Sequence, residues 1–166
     1  MSLIDYRYMS SGLTVIPFQL LDHAKLFEIL RVRNDKRVRF WMDSQQEITP
    51  EDHFKFCRSL QYRDDVLYCA VEADEVLLGV IYLTGIDLDS GVAELGLYRN
   101  PNIDGRNIGA LLMAGLEDTS RRIGVKTLFL RVRLNNERAI ALYQRLGYTT
   151  TDWNDTYLYM NKEVSS

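Results

Sequence analysis

One continuous stretch near the middle of the chain, residues 92–133, constrains the fold more than any other. It opens with an apolar run at 92–98, which predicts a buried strand, and it closes with a second such run at 126–133. Between the two runs, apolar residues recur at helical spacing from Ile108 onward, and Gly124 is typical of a residue that ends a helix. Two strands joined through a helix run parallel in one sheet, so the stretch predicts a β-α-β unit.

The loop between the first strand and the helix, residues 104–109, has the composition of a phosphate-binding turn. Gly105 and Gly109 allow the backbone to approach a ligand closely, and the first amides of a helix point their N–H groups out of its N-terminus. Neither the P-loop pattern GxxxxGK(S/T) nor the pattern GxGxxG is present. For the loop taken alone, a plain strand-to-helix turn is therefore an open alternative.

The segment that follows the second strand carries a more specific pattern. The string VRLNNERAIALYQRLGY contains the spaced residues Asn136, Ala139, Ile140, Leu142, Tyr143, Gly147 and Tyr148. This string resembles the second cofactor motif of the GNAT superfamily, the acetyl-CoA-dependent N-acyltransferases. The resemblance implies acetyl-CoA as co-substrate, and it implies the superfamily's V-shaped sheet, in which acetyl-CoA enters where two central strands splay apart.

Within this resemblance, the loop 104–109 corresponds to the superfamily motif (Gln/Arg)-x-x-Gly-x-(Gly/Ala). Two positions depart from the motif, because Asp104 replaces the basic or amide residue and Asn107 replaces the middle glycine. Asn adopts left-handed backbone more readily than most residues, so Asn107 can take the place of the glycine. Because Asp104 would repel a pyrophosphate unless its side chain turns away, phosphate contacts are expected from backbone amides and from Arg106. For Asn136, helix capping is the alternative to a contact with the pantetheine arm. The predicted cofactor-binding residues are Leu97, Tyr98, Gly105, Arg106, Asn107, Ile108, Gly109, Ala110, Asn136 and Ala139.

The remainder of the chain supplies an antiparallel meander and further helices. Strands are expected at residues 13–18, 66–73, 76–84 and about 156–161. Helices are expected at 20–32 and, from a Thr49 cap followed by Pro50, at 50–62. Strands that pair first antiparallel and then parallel, with helices between them, predict an α/β (α+β) fold with one mixed central sheet. The whole chain, 1–166, is expected to form a single GNAT domain.

Composition limits the compartment and the partners. The net charge of −3 and the scattered Lys and Arg argue against nucleic acid as a main partner. No apolar run reaches the length of about eighteen residues that a membrane helix needs, so no membrane partner is expected and a cytoplasmic protein is predicted. Cys57 and Cys69 lack metal-ligand spacing, which indicates buried free thiols and no metal site. The sequence leaves the oligomeric state open, with a homodimer as one option.

Two side chains are candidates for the acetyl transfer itself. The reaction needs a base for the amine, polarisation of the carbonyl and a proton for the departing thiolate. Tyr143 resembles the superfamily's general acid, and an aromatic core residue is the alternative. Glu94 stands mid-strand among apolar residues, where a carboxylate is costly unless it faces water or a cleft. It resembles the superfamily's proton-accepting glutamate, with a solvent-facing strand residue as the alternative, while N–H groups around 95–97 are candidates for polarising the carbonyl.

The N-terminal half carries a narrower resemblance, to the GNAT enzymes that acetylate the 4-amino group of a UDP-linked amino sugar in pseudaminic acid biosynthesis. The likeness runs from residue 33 to residue 148 and includes the string LGVIYLTGIDLDSGVAELGLYRNP. It implies acetyl-CoA and a UDP-amino sugar as partners, with a sugar pocket lined by Arg33, Met42, His53, Phe56 and Glu94. Arg33 and a protonated His53 suit phosphate or uracil oxygens, whereas Met42 and Phe56 suit apolar and stacking contacts. His53 lies on the apolar stripe of the helix predicted at 50–62, so a packed, hydrogen-bonded side chain is the alternative to a ligand contact.

Two other functions stay open. A GNAT acting on a protein N-terminus, such as that of a ribosomal protein, shares the arginine and tryptophan features of the first half. A non-catalytic acyl-CoA-binding module would accommodate the departures at Asp104 and Asn107. Arg131 stands where the narrower resemblance implies an acidic residue, which leaves Glu94 as the better candidate for the base.

Overall fold

The computed structural model describes residues 3–5, 7–10 and 12–165. In these ranges the strands are β1 (Tyr8–Ser10), β2 (Leu13–Pro17), β3 (Leu67–Ala73), β4 (Val76–Asp87), β5 (Val92–Arg99), β6 (Thr127–Arg133), β7 (Thr149–Trp153) and β8 (Tyr157–Glu163). The α-helices are α1 (His23–Asn34), α2 (Lys36–Arg39), α3 (Pro50–Ser59), α4 (Ile108–Ile123) and α5 (Glu137–Arg145), and 3-10 helices lie at Phe18–Leu20 and Leu60–Tyr62. None of the helices in these ranges has both the length and the apolar character to cross a bilayer.

All eight strands form one mixed sheet, in the order β1-β2-β3-β4-β5-β6-β8-β7. Every neighbouring pair is antiparallel except β5 and β6, which are parallel and are joined through α4. The predicted β-α-β unit is therefore confirmed. Helix α4 begins at Ile108 as expected, and Gly124 follows its last residue with a φ of 95°, in the left-handed region that favours glycine.

Each face of the sheet packs against different helices, because side chains alternate along a strand. One apolar core lies between the sheet and α4, where Leu112 is fully buried. The second core lies beneath α1, α2 and α3 and includes the buried Ile29. On β5, Ala93 and Leu95 belong to the α4-side core, so the intervening Glu94 belongs to the face shared with α1–α3.

The N-terminal helices follow their capping residues. Thr49 caps α3 as predicted, since its Oγ1 accepts a hydrogen bond from the Asp52 amide at 3.1 Å. Helix α1 begins later than predicted because Asp22 provides its cap, accepting from the Lys25 amide at 2.8 Å. The sequence patterns did not predict α2, β1 or β7. Helix α2 spans a single turn, and β7 is exposed at every residue, so neither shows an apolar period.

Candidate active site

The parallel pair β5–β6 is hydrogen bonded only at its beginning. Three residue pairs are in register, and the last of them joins Glu94 to Phe129. Strand β5 nevertheless continues to Arg99, and β6 continues to Arg133. The two strands therefore part after Glu94, which opens the gap that the family resemblance implied.

Peptide groups of β5 line this gap. The Asn100 amide donates toward β4 at 2.8 Å, whereas the Gly91 carbonyl accepts from the Lys126 amide on the β6 side at 2.7 Å. Peptide groups at successive positions of a strand point to opposite edges. The alternation therefore directs the N–H and C=O groups of Leu95 and Leu97 toward β6. The register that joins Glu94 to Phe129 uses the Leu95 N–H, which donates to the Phe129 carbonyl, so the Leu95 carbonyl and both groups of Leu97 are left in the gap for a bound ligand.

The N-terminus of α4 lies beyond the end of β5, across a short exposed loop. Asn107 precedes the first helical residue at φ 65° and ψ 17°, and its side chain makes no capping hydrogen bond. Asn107 thus adopts the left-handed backbone for which the motif normally uses glycine, and the first amides of the helix stay directed at solvent. At Gly109, a Cβ atom would lie 3.0 Å from the Leu142 side chain, so the glycine lets α4 and α5 approach closely.

Helix α5 brings a capping amide and a tyrosine to the gap. Asn136 Oδ1 accepts from the Ala139 amide at 3.3 Å, which establishes the capping role, and Nδ2 makes no hydrogen bond within the described residues. Tyr143 is half-buried, and burial raises its pKa to about 12. Its hydroxyl stays protonated at neutral pH and can donate a proton or a hydrogen bond.

Three tyrosines on neighbouring strands form an aromatic floor on the face opposite α4. Tyr68, Tyr82 and Tyr98 make up this floor; the first two rings are stacked 4.9 Å apart at 11°, and the last two lie 6.4 Å apart. Phe56 of α3 contacts Tyr68 edge-on at 4.9 Å. Burial, and then the nearby Tyr68 and Tyr143, raise the pKa of Tyr82, which indicates that Tyr143 approaches the floor through the gap.

A charged bridge closes the point at which the strands part. Arg131 Nε lies 3.3 Å from Glu94 Oε1, and Arg131 Nη2 donates to Asp43 Oδ2. Asp43 also accepts from the Tyr157 hydroxyl at 3.0 Å, so the segment between α2 and α3 is anchored to β6 and β8. Sequence reasoning did not find Asp43, because nothing local marks a residue whose partners lie 88 and 114 positions away.

Two further arginines hold the same segment. Arg33 Nη2 donates to the Ser44 carbonyl at 3.3 Å, and Arg133 Nη2 donates to the Met42 carbonyl at 3.1 Å. Arg33 Nη1 and Arg133 Nε are buried and have no hydrogen-bond partner among the described residues. Both residues are half-buried, and their guanidinium groups place two positive charges beside the segment 42–44.

Comparison with known proteins assigns the family. The family model described as "Acetyltransferase (GNAT) family" matches residues 26–148. The chain belongs to the GNAT acetyltransferase family. It is 30% identical over 144 residues to acetyltransferase PseH of Campylobacter jejuni, covering 86% of this chain and 88% of that protein.

A solved structure of PseH and one further relative refine the comparison. The crystal structure of Campylobacter jejuni N-acetyltransferase PseH in complex with acetyl coenzyme A aligns with a TM-score of 0.74 at 26% identity, over 91% of this chain and 98% of that chain. The [ribosomal protein bS18]-alanine N-acetyltransferase of Escherichia coli is 34% identical over 76 residues, which cover 40% of this chain and 51% of that protein. This GNAT enzyme is therefore an acetyl-CoA-dependent N-acetyltransferase.

The geometry of this GNAT enzyme fits acetyl-CoA. The Leu95 carbonyl and the peptide groups of Leu97 face the gap, and the uncapped N-terminus of α4 after Asn107 offers amides of the kind that bind phosphate. The exposed Arg106 adds a positive charge beside those amides. The departures from the loop motif thus leave the backbone features of a cofactor site in place.

His53 is a packed, hydrogen-bonded side chain and not the protonated ligand contact that the narrower resemblance implied. It lies on the apolar face of α3, only 5% exposed, and its ring Nε2 donates to the Leu26 carbonyl of α1 at 2.8 Å. Burial lowers the pKa of His53, so the neutral ring is favoured in place of the protonated one expected from the sequence. The side chain ties α3 to α1.

The aromatic floor predicts a strict requirement for glycine at position 96. A Cβ atom on Gly96 would lie 2.1 Å from the Tyr82 ring, so Gly96→Ala has to displace that ring from its stack. We expect Gly96→Ala to lower the free energy of unfolding by about 1–3 kcal/mol, measured by urea denaturation.

Gly115 within α4 is the matched control. A Cβ atom there would meet a Val15 methyl at an ordinary 3.8 Å. Gly115→Ala should therefore raise the free energy of unfolding, by about 0.5–1 kcal/mol from helix propensity. Equal stability of Gly96→Ala and the native enzyme would contradict the rigid floor.

Proposed function

We propose that this GNAT enzyme acetylates the 4-amino group of a UDP-linked amino sugar, as in pseudaminic acid biosynthesis, by direct transfer in a ternary complex. The observation that carries this proposal is the positive charge of Arg33 and Arg133, whose guanidinium groups donate to the backbone of the segment 42–44. A diphosphate is an anion that such donors suit. The resemblance over residues 33–148 supports the same substrate class.

The aromatic floor supports a base or sugar ring in the acceptor pocket. Phe56 and the half-buried Met42 border the core on the face that carries the floor, and both offer apolar surface to a planar or pyranose ring. Arg33 lies near enough to the floor tyrosines to lower the pKa that burial raises in Tyr98. In this proposal Arg33, Met42, Phe56 and Glu94 contact the acceptor, and His53 acts by holding α3 in place.

The chemistry is assigned to groups that face the gap. When bound, acetyl-CoA supplies the acetyl group as a thioester. Glu94, whose side chain is 30% exposed, accepts the proton of the acceptor amine directly or through water. The Leu97 amide polarises the carbonyl, and the Tyr143 hydroxyl donates the proton that the departing thiolate needs.

Cofactor contacts are proposed for both sides of the gap. On β5 they involve the backbone of Leu97 and the adjoining Tyr98, whose own peptide groups pair with β4, and on α5 they involve Asn136 Nδ2 and the first helical turn at Ala139. At the start of α4 the contacts come mainly from backbone amides. The residues proposed there are Gly105, Arg106, Asn107, Ile108, Gly109 and Ala110.

A thiol-release assay with a panel of acceptors tests the substrate class. We expect turnover with UDP-4-amino-4,6-dideoxy-N-acetyl-altrosamine that exceeds turnover with peptides bearing a free N-terminus. Turnover confined to peptides would overturn the sugar proposal in favour of a protein N-terminal acetyltransferase. Saturable acetyl-CoA binding without turnover on any acceptor would favour a non-catalytic binding module.

The role of Tyr143 predicts a selective loss of turnover. Tyr143→Phe removes the proton donor but keeps the ring, so kcat should fall by roughly 100-fold or more, within the range of general acid catalysis. Acetyl-CoA affinity, measured by calorimetry, should be retained.

Tyr148→Phe provides the matched control for this variant. The Tyr148 ring lies 5.8 Å from that of Tyr143, and its buried hydroxyl makes no hydrogen bond within the described residues. We expect Tyr148→Phe to keep its kcat. Similar kcat values for Tyr143→Phe and the native enzyme would remove Tyr143 from the mechanism.

A further inference from the structure

We propose that Arg131 is a resident cation that sets the charge of the acceptor site and excludes amines carrying a second positive charge. The inference rests on the proposed function in one respect, namely that the reacting amine lies beside Glu94. It adds a residue that determines which class of amine the site accepts.

Arg131 lies between two carboxylates. Its Nε is 3.3 Å from Glu94 Oε1, and its Nη2 donates to Asp43 Oδ2. The side chains of Arg131 and Glu94 are 40% and 30% exposed, so the bridge is open to solvent and to an acceptor. Without the guanidinium, two negative charges would face each other across this opening.

The position of Arg131 coincides with the place where an acceptor must enter. Glu94 pairs with Phe129 in the last register of the parallel ladder, and Arg131 follows two residues later on the same face of β6. The guanidinium group is also 5.1 Å from the centre of the Tyr157 ring. It therefore occupies the site, lined by carboxylates and an aromatic ring, that the ammonium group of a second amine would require.

Charge complementarity then determines selectivity. A dicationic amine must displace Arg131 from both carboxylates and approach Arg33 and Arg133, which are like charges. An acceptor with a single amine and an anionic group meets neither penalty. Arg33 and Arg133, the two arginines that suit a phosphate, therefore act together with Arg131 to discriminate against diamines and polyamines.

Replacement of Arg131 tests this account through binding. With CoA present, calorimetry compares 1,4-diaminobutane with 1-aminobutane as probes on the native enzyme and on Arg131→Gln. We expect Arg131→Gln to bind the diamine roughly tenfold more tightly than the native enzyme does, through charge-assisted hydrogen bonds to the exposed carboxylates. Affinity for the monoamine should rise by a smaller factor, because it has no second ammonium group to pair with the freed carboxylates.

Two further variants separate charge from structure. Arg131→Lys keeps the resident cation and should continue to exclude the diamine, whereas Arg131→Gln combined with Asp43→Asn should lose the gain because one carboxylate is gone. Thermal melting verifies that each variant is folded. No gain of diamine affinity in folded Arg131→Gln, or an equal gain for the monoamine, would overturn the proposal.

The outcome is distinguishable from a failure of the proposed function. If the native enzyme does not acetylate the UDP-amino sugar but Arg131→Gln gains diamine affinity, the sugar assignment fails and the role of Arg131 stands. If the sugar is acetylated and the diamine gain is absent, the role of Arg131 fails and the sugar assignment stands.

Discussion

The limited pairing between β5 and β6 is the constraint on which the rest of the site depends. A parallel ladder that ends at Glu94 and Phe129 leaves peptide groups of β5 directed into a gap instead of toward a neighbouring strand. Unpaired backbone groups inside a sheet are costly unless water or a ligand satisfies them. The gap persists because antiparallel pairing on the outer sides, to β4 and to β8, holds each strand along most of its length.

The two halves of the site use different chemistry. In the proposed function, the cofactor half relies on backbone groups, from β5 and from the start of α4, so it tolerates Asp104 and Asn107 at motif positions. The acceptor half relies on side-chain charge, because Arg33, Arg131 and Arg133 contact the segment between α2 and α3 and Arg131 bridges two carboxylates there. Sequence changes in the acceptor half therefore change the choice of amine while the cofactor site is retained.

Local signals predicted the fold well, and long-range contacts explain what they missed. Helix α4, the Thr49 cap and the parallel unit follow from apolar period, capping residues and glycine, which act within a few positions. Asp43 belongs to a stretch without periodicity, and its role depends on partners in β6 and β8 that adjoin it only after folding. The apolar stripe placed His53 correctly on its helix face, but it could not reveal that the Leu26 carbonyl occupies the ring nitrogen.

Amide hydrogen exchange, followed by NMR at saturating CoA, tests most directly whether the gap holds the cofactor. The account predicts that the Leu97 amide gains protection on binding, because it faces the gap. The Leu95 amide, which pairs with β6, and the Gly96 and Tyr98 amides, which the same alternation directs toward β4, serve as internal controls and should exchange as in the free enzyme. Unchanged exchange at Leu97 in the saturated enzyme would contradict the central claim.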